Sequence, residues 1–136
     1  LRRRQQKEIV DTGEGDIGVS SLGELDKEFI RKMNELIDKH MADSDFAIAD
    51  ITEHLAVSRS LLHAKMKSLT GMSMGDYIRK KRLQLACKLL QQGFNISETA
   101  YRTGYSDPSY FSKTFKKHMG VSPTEYINEK PAAPKP

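Results

Sequence analysis

Residues that start and stop helices lie close together in the C-terminal third of the chain, leaving room for two short helices joined by a tight turn. Asn95, followed three residues later by Glu98, is a variant of the capping box that begins a helix. Gly104 ends that helix, because glycine adopts a positive φ most easily. Asp107 caps the second helix, and Pro108 suits its first position, where the missing N–H costs nothing. Since glycine and proline are otherwise sparse, we predict an all-α fold.

The second of these helices is amphipathic. Phe111 and Phe115, four residues apart, form an inward stripe. The hydroxyl and lysine side chains fall mostly on the outward side, with the tyrosine at the boundary: Ser109, Tyr110, Ser112, Lys113, Lys116 and Lys117. A helix that is anchored by aromatic residues and presents lysines and hydroxyls is suited to phosphates and base edges. We therefore predict a helix-turn-helix motif whose second helix contacts DNA. The alternative is a helix face that is only solvated.

A similar pattern occurs about 50 residues earlier in the chain. Residues 49–56 are predicted as a helix, Ser58 caps the next helix, and Gly71 ends it. Leu62, Met66 and Leu69 have core spacing, and the outward residues are Arg59, Ser60, His63, Ala64 and Lys67. His63 has no cysteine or carboxylate partner at metal-ligand spacing, so we predict no metal site. The internal duplication strengthens the interpretation of both copies.

One long helix is predicted between the two motifs. Ser73 and Asp76 form a capping box, and Gly93 lies just past the expected end near Gln92. At about 1.5 Å per residue this helix spans roughly 30 Å, close to the rise of one DNA turn. Two recognition helices held that far apart can enter successive major grooves. Three basic residues on its first half are candidate phosphate contacts: Arg79, Lys80 and Arg82.

The flanking segments complete the predicted organisation. Asp26 is expected to cap a supporting helix that ends near Met41, and Pro123 to open a last helix that ends near Glu129. The assigned ranges are a linker from an upstream domain over 1–25, a DNA-binding domain over 26–130 and a disordered tail over 131–136. Within the domain, the first motif covers 47–71, the linker helix 73–92 and the second motif 95–119.

The charge distribution also favours a polyanionic partner. The first 54 residues carry 8 Lys+Arg against 13 Asp+Glu, a net charge of −5. The remaining residues carry 14 against 5, a net charge of +9. A strongly basic C-terminal part is the electrostatic footprint of a nucleic-acid partner. The single cysteine excludes an internal disulfide and suits a reducing compartment, and no apolar run is long enough to span a membrane. We therefore expect a cytoplasmic domain.

No pattern of catalytic residues is visible. The carboxylates are scattered without a pair suited to acid–base chemistry, and Gly13 and Gly15 lack the strand and helix of a phosphate-binding loop. Cys87 lies mid-helix beside Ala86, where packing is expected rather than nucleophilic reactivity. We predict no enzyme activity, cofactor or small-molecule ligand for this segment. Two alternatives stay open: a helical protein-interaction module that does not bind DNA, and a fragment of a repair methyltransferase with a reactive Cys87.

From about Phe46 to Asn128 the chain resembles the AraC/XylS-type DNA-binding domain. The residues that carry the resemblance are Ser58, Leu62, Met66, Lys67, Gly71, Tyr77, Arg82, Leu83, Ala86, Leu89, Leu90, Ile96, Ala100, Gly104, Tyr105, Asp107, Ser109, Tyr110, Phe111, Phe115, Lys116, Gly120, Ser122, Pro123 and Tyr126. The resemblance implies two helix-turn-helix subdomains joined by a long helix, in a transcription activator that binds double-stranded DNA and RNA polymerase. Two positions depart from the family pattern. Ala56 replaces the usual glycine, and Ala64 stands where a long polar base reader is common.

The preceding segment, from Glu24 to Phe46, resembles the one that precedes this domain in hybrid two-component regulators of Bacteroidetes. This resemblance implies a receiver domain upstream and a sensor anchored in the inner membrane. It also implies control by phosphorylation-driven dimerisation through the upstream domains. The first residue, Leu1, is not a methionine, which fits a piece of such a longer protein.

Overall fold

Helices account for all the regular secondary structure of residues 23–129, the part of the chain that the computed structural model describes. Seven helices follow one another: α1 (Glu24–Lys39), α2 (Ile48–Leu55), α3 (Arg59–Thr70), α4 (Met74–Gln91), α5 (Ile96–Arg102), α6 (Pro108–Met119) and α7 (Pro123–Glu129). The predicted all-α class, with two helix-turn-helix motifs and a long helix between them, is confirmed. The linker predicted over 1–25 falls almost entirely outside the described residues, as does the whole tail predicted over 131–136.

The described residues divide into two compact units. The first comprises residues 23–39 and Ala47–Ile78, and the second comprises His40–Phe46 and residues 79–129. In the first unit, α1, α2 and α3 bury their apolar stripes, and the fully buried side chains include Met33, Ile37, Ile51, Leu62 and Met66. Burying such side chains supplies most of the stability of short helices, which are marginal in water when isolated.

Two polar contacts hold α1 within the first unit. The Tyr77 hydroxyl donates to Asn34 Oδ1 at 2.6 Å, and Lys65 Nζ donates to Asp26 Oδ1 at 3.0 Å. The prediction that Asp26 caps α1 was wrong, because the helix already begins at Glu24 and Asp26 lies in its first turn. Its carboxylate pairs with a lysine 39 positions away, a contact that local sequence patterns do not reveal.

The second unit is built around a cluster of aromatic and aliphatic side chains. Its buried members are Leu83, Ala86, Leu90, Ala100, Tyr105, Phe111, Phe115 and Tyr126. The rings of Phe111 and Phe115 lie 5.7 Å apart, and those of Phe115 and Tyr126 lie 5.6 Å apart in an edge-to-face arrangement. Cys87 packs against this cluster, as predicted. The predicted inward stripe of α6 is confirmed.

The helix ends follow the sequence signals closely. The Ser58, Asn95 and Asp107 side chains each accept a backbone N–H at the start of α3, α5 and α6, at 2.8–3.0 Å. A reciprocal capping box opens α7, where Ser122 N–H donates to Glu125 and Glu125 N–H donates to Ser122. The box predicted for α5 forms only in part, because the Glu98 carboxylate accepts from Arg102 at 3.2 Å.

Ala56 ends α2 in the left-handed conformation, with φ 55° and ψ 44°. It is the one non-glycine residue with positive φ among residues 23–129. A Cβ in this region costs roughly 1–2 kcal/mol, because it approaches the following carbonyl oxygen. The departure from the family's usual glycine at Ala56 is therefore visible as backbone strain at an exposed position.

We expect Ala56→Gly to raise the free energy of unfolding by about 0.5–1 kcal/mol, because relief of this strain outweighs the extra entropy of glycine in the unfolded chain. Ala64→Gly is the matched control, since Ala64 is also exposed but lies inside α3. That change should lower the free energy of unfolding by about 1 kcal/mol. Urea denaturation measures both, and two changes of the same sign would contradict the assignment of strain to Ala56.

Candidate nucleic-acid interface

In the first motif, the core of the first unit determines which face of α3 is exposed. Leu62 and Met66 are fully buried along one side of the helix. The predicted outward residues share the opposite side: Arg59, Ser60, Ala64 and Lys67 are exposed, and His63 is half-buried. The structure therefore brings all five predicted residues onto one face of a capped 12-residue helix. Their contact with DNA stays a prediction.

Lys65 belongs to α3 but not to this face. Its ammonium group pairs with Asp26 and lies 5.5 Å from the centre of the Phe29 ring. Asp26 and Phe29 are both on α1, so the Lys65 ammonium helps to join α3 to α1 within the first unit. The sequence around Lys65 does not reveal that this lysine contacts α1 while its neighbour Ala64 is exposed.

In the second motif, α5 and the following turn support α6. Thr99, Ala100 and Thr103 are fully buried, and the Thr103 hydroxyl donates to the carbonyl of Thr99 at 2.8 Å. Gly104 has a φ of +88°, in agreement with the predicted helix end. Tyr105 follows and is 8% exposed, with its ring 5.3 Å from that of Phe111. The turn is thus packed directly on the core that orients α6.

The exposed face of α6 carries most of its predicted residues. Ser109, Tyr110, Lys113, Lys116 and Lys117 are exposed, and Ser112 is half-buried. Tyr110 is 61% exposed although its ring lies 6.0 Å from Tyr105, so most of its surface remains available to a ligand. Thr114, which directly precedes Phe115, is also buried, although its position in the sequence did not predict this.

Three exposed basic residues of the two faces differ from the exposed arginines of α1 and α5. On α1, Arg31 pairs with Glu28 and Glu35, and on α5, Arg102 pairs with Glu98. No ion pair found among residues 23–129 includes Arg59, Lys67 or Lys113 of the two motifs. Their charge is directed to solvent, which suits an anionic ligand.

The three basic residues predicted to contact phosphates from α4 are all half-buried. Arg82 is engaged within the second unit, where Nη2 donates to the carbonyl of Asp43 at 3.3 Å and Cζ lies 5.9 Å from the centre of the Tyr105 ring. A phosphate contact by Arg82 would have to compete with these contacts. For Arg79 and Lys80 the phosphate contact also stays a prediction.

Metal sites and membrane-spanning helices were also considered for residues 23–129. Residues 23–129 contain no cluster of three metal-ligating side chains. None of the helices in that range combines the length and apolar character of a membrane span.

Comparison with known proteins places these motifs in a wider context. Residues 51–129 match a family model described as a helix-turn-helix domain. Histidine kinase P4 of Formosa agariphila is 31% identical over 109 residues, which are 79% of this chain and 8% of that protein. The arabinose operon regulatory protein of Escherichia coli is 33% identical over 98 residues, which are 71% of this chain and 34% of that protein. The chain thus spans about a third or less of these two relatives.

A solved structure supports the same fold assignment. The C-terminal domain of AraT, a response regulator from Geobacillus stearothermophilus, superposes with a TM-score of 0.70 at 36% sequence identity. The match covers 74% of this chain and 84% of that chain. The similarity therefore extends over most of that domain.

Asp107 is expected to stabilise α6 through its cap, because its carboxylate accepts the Ser109 N–H at 3.0 Å. Asp107→Ala should lower the free energy of unfolding by about 1 kcal/mol, whereas Asp107→Ser, which keeps an acceptor, should lose much less. Urea denaturation of both variants tests this role. Equal losses for alanine and serine would show that the cap is not the source of the stability.

Proposed function

The chain belongs to the AraC-type helix-turn-helix family of DNA-binding transcription regulators, and from this premise we propose how it binds its operator. Both motifs read base edges in the major groove, with α3 and α6 as the recognition helices, while lysines and arginines fix the register through phosphates. The DNA-binding domain is assigned to residues 26–130. The observation that carries the proposal is that each motif has a buried apolar side and an exposed basic and hydroxyl-bearing side.

The residues proposed to contact DNA fall into three sets. In the first motif they are Arg59, Ser60, His63, Ala64 and Lys67, and Ala64 suits a thymine methyl group. In the second motif they are Ser109, Tyr110, Ser112, Lys113, Lys116 and Lys117. Lys116 follows the core residue Phe115 and is assigned to phosphate rather than to a base. Arg79 and Lys80 are proposed as further phosphate contacts.

The wider role is that of an output domain in a two-component protein. Two similarities support it: one relative is a histidine kinase of which this chain matches 8%, and the similar solved domain comes from a response regulator. We propose an activator that acts in the cytoplasm and contacts RNA polymerase. Phosphorylation-driven dimerisation upstream would bring two copies to a repeated site. A hybrid parent would be anchored in the inner membrane by its sensor.

Gel-shift experiments with genomic DNA at low salt test the proposal directly. A DNA-binding domain should retard the DNA, and the logarithm of its binding constant should fall by about 0.9 per phosphate neutralised for each tenfold rise in salt. A helical module that binds only proteins should leave the DNA unshifted at every salt concentration. Selection of bound sequences from a random library then identifies the site used below, called the selected site.

We expect Lys113→Ala to weaken binding to the selected site by about 5- to 150-fold, the range that corresponds to loss of a base contact worth roughly 1–3 kcal/mol. Binding to random DNA should fall much less. Lys88→Ala is the matched control, because Lys88 is an exposed lysine of the same unit but lies outside the proposed interface.

Titration of both DNAs by fluorescence anisotropy measures these effects. If Lys113→Ala weakens the selected and random DNAs equally, Lys113 contacts phosphate only. A loss of the same size in Lys88→Ala would show that the effect is one of net charge rather than of position.

A further inference from the structure

The loop between α1 and α2, His40–Phe46, is ordered by its own contacts and is here named the connector loop. Two backbone hydrogen bonds form turns, from Asp43 N–H to the His40 carbonyl and from Phe46 N–H to the Asp43 carbonyl, at 3.0 and 3.1 Å. The rings of His40 and Phe46 stack with their centres 5.0 Å apart. The loop precedes the residues that match the family model, yet it belongs to the second unit.

The connector loop and Arg82 close the space around the turn of the second motif. A Cβ built on Gly104 would lie 2.6 Å from the Met41 carbonyl oxygen and 2.8 Å from Arg82 Cζ. Gly120 has the same φ of +88°, but a Cβ there would meet nothing within 4 Å. Gly104 is therefore required by its surroundings as well as by its backbone conformation, and the turn lies directly against a loop carbonyl and a guanidinium group.

The contacts of Arg82 are unusual for a surface arginine. Its Nε is buried without a hydrogen-bond partner, and Nη2 donates to the Asp43 carbonyl at 3.3 Å. Its guanidinium carbon lies 5.9 Å from the centre of the Tyr105 ring, within the range of a cation–π contact. A planar guanidinium can stack on a ring while it donates to a peptide carbonyl, and the point charge of a lysine does not reproduce this planar geometry.

Tyr105 continues this series of contacts to α6. Its ring lies 6.0 Å from Tyr110 and 5.3 Å from Phe111, at the first turn of the recognition helix. Phe111 is fully buried and Tyr110 is mostly exposed. A displacement of Tyr105 would therefore reach both an anchor of α6 and a side chain on its exposed face.

We propose that Arg82 is a positioning residue for the second recognition helix. Together with the Met41 and Asp43 carbonyls it fixes the Gly104–Tyr105 turn, and this turn sets the direction in which α6 presents Tyr110 to DNA. The inference rests on the proposed function for its DNA readout, so the test below includes a measurement on the free protein. It replaces the phosphate contact predicted for Arg82 with a role inside the second unit.

The first experiment compares Arg82→Lys, which keeps the charge, with Arg82→Gln, which removes it. Both variants should weaken binding to the selected site by about tenfold, the scale of one lost base contact, with a smaller loss on random DNA and an unchanged salt dependence. A phosphate contact predicts instead that lysine binds almost as well as arginine and that glutamine lowers the salt slope by about 0.9. That outcome would overturn the proposal. The proposal would also be overturned if both Arg82 variants fold with lowered thermal stability but bind the selected site with full affinity and specificity, because Arg82 would then serve stability alone.

The second experiment compares Gly104→Ala with Gly120→Ala, which impose the same φ penalty but differ in the space around the new methyl group. Gly104→Ala should reduce the discrimination between selected and random DNA several times more than Gly120→Ala does. The reason is that a displaced α6 loses base contacts, which carry the discrimination. Half-site tests refine this result. When the half of the selected site read by α6 is scrambled, Gly104→Ala should weaken binding no further. The substitution and the scrambled half-site form a double-mutant cycle, which isolates the energy that couples the turn to that half-site.

A measurement without DNA separates this inference from the proposed function. In nuclear magnetic resonance spectra of the free 136-residue chain, the ring signals of Tyr110 should move in Arg82→Lys and Gly104→Ala and stay in place in Gly120→Ala. Unmoved Tyr110 signals in the first two variants would overturn the positioning role even if the chain binds DNA. If the Tyr110 signals move in these two variants but the unsubstituted chain does not bind DNA, the positioning role is supported and the proposed function is rejected.

Discussion

Burial of one apolar face is the constraint on which both motifs depend. A 12-residue helix such as α3 or α6 is marginal in water on its own, so it exists only while its inward side chains are packed. Phe111 and Phe115 provide that packing in the second unit, and Leu62 and Met66 provide it in the first. Because both faces belong to one rigid helix, the core contacts also determine which side chains face outward. Stability and recognition are therefore set by the same packing, and core residues that never touch DNA are expected to influence binding.

The two motifs solve the problem of ending their first helix in different ways. The first uses Ala56, which adopts φ 55° at an exposed position and accepts strain where glycine would have none. The second uses a fully packed turn, in which Gly104 has no room for a side chain. A strained but open turn can tolerate many residues, whereas a crowded turn transmits any change to its neighbours. We therefore expect the second motif to be the more sensitive of the two to substitutions outside its recognition helix.

Local signals predicted most of the fold, and tertiary contacts account for the exceptions. The caps at Ser58, Asn95 and Asp107 were predictable because each side chain bonds a backbone N–H within three residues. The role of Asp26 was not, because its partner lies 39 positions away. Arg82 was assigned to phosphate since it ends a basic run, but its surroundings depend on a loop and a turn distant in sequence. The exposed faces of α3 and α6 followed from helical periodicity, whereas the identity of the contacted bases depends on an operator that periodicity does not encode.

The basic residues illustrate why net charge alone describes an interface poorly. Arg31, Arg102 and Lys65 each pair with a carboxylate, so their charges are largely neutralised within the protein. Exposed pairs of this kind contribute little stability, but they limit the positive field that a ligand meets. Arg59, Lys67 and Lys113 form no such pair among residues 23–129, and their field extends into solvent to about one Debye length. The location of the acidic residues therefore matters as much as that of the basic ones, because a basic residue contributes little field to a ligand where a carboxylate of the same helix pairs with it, as on α1 and α5.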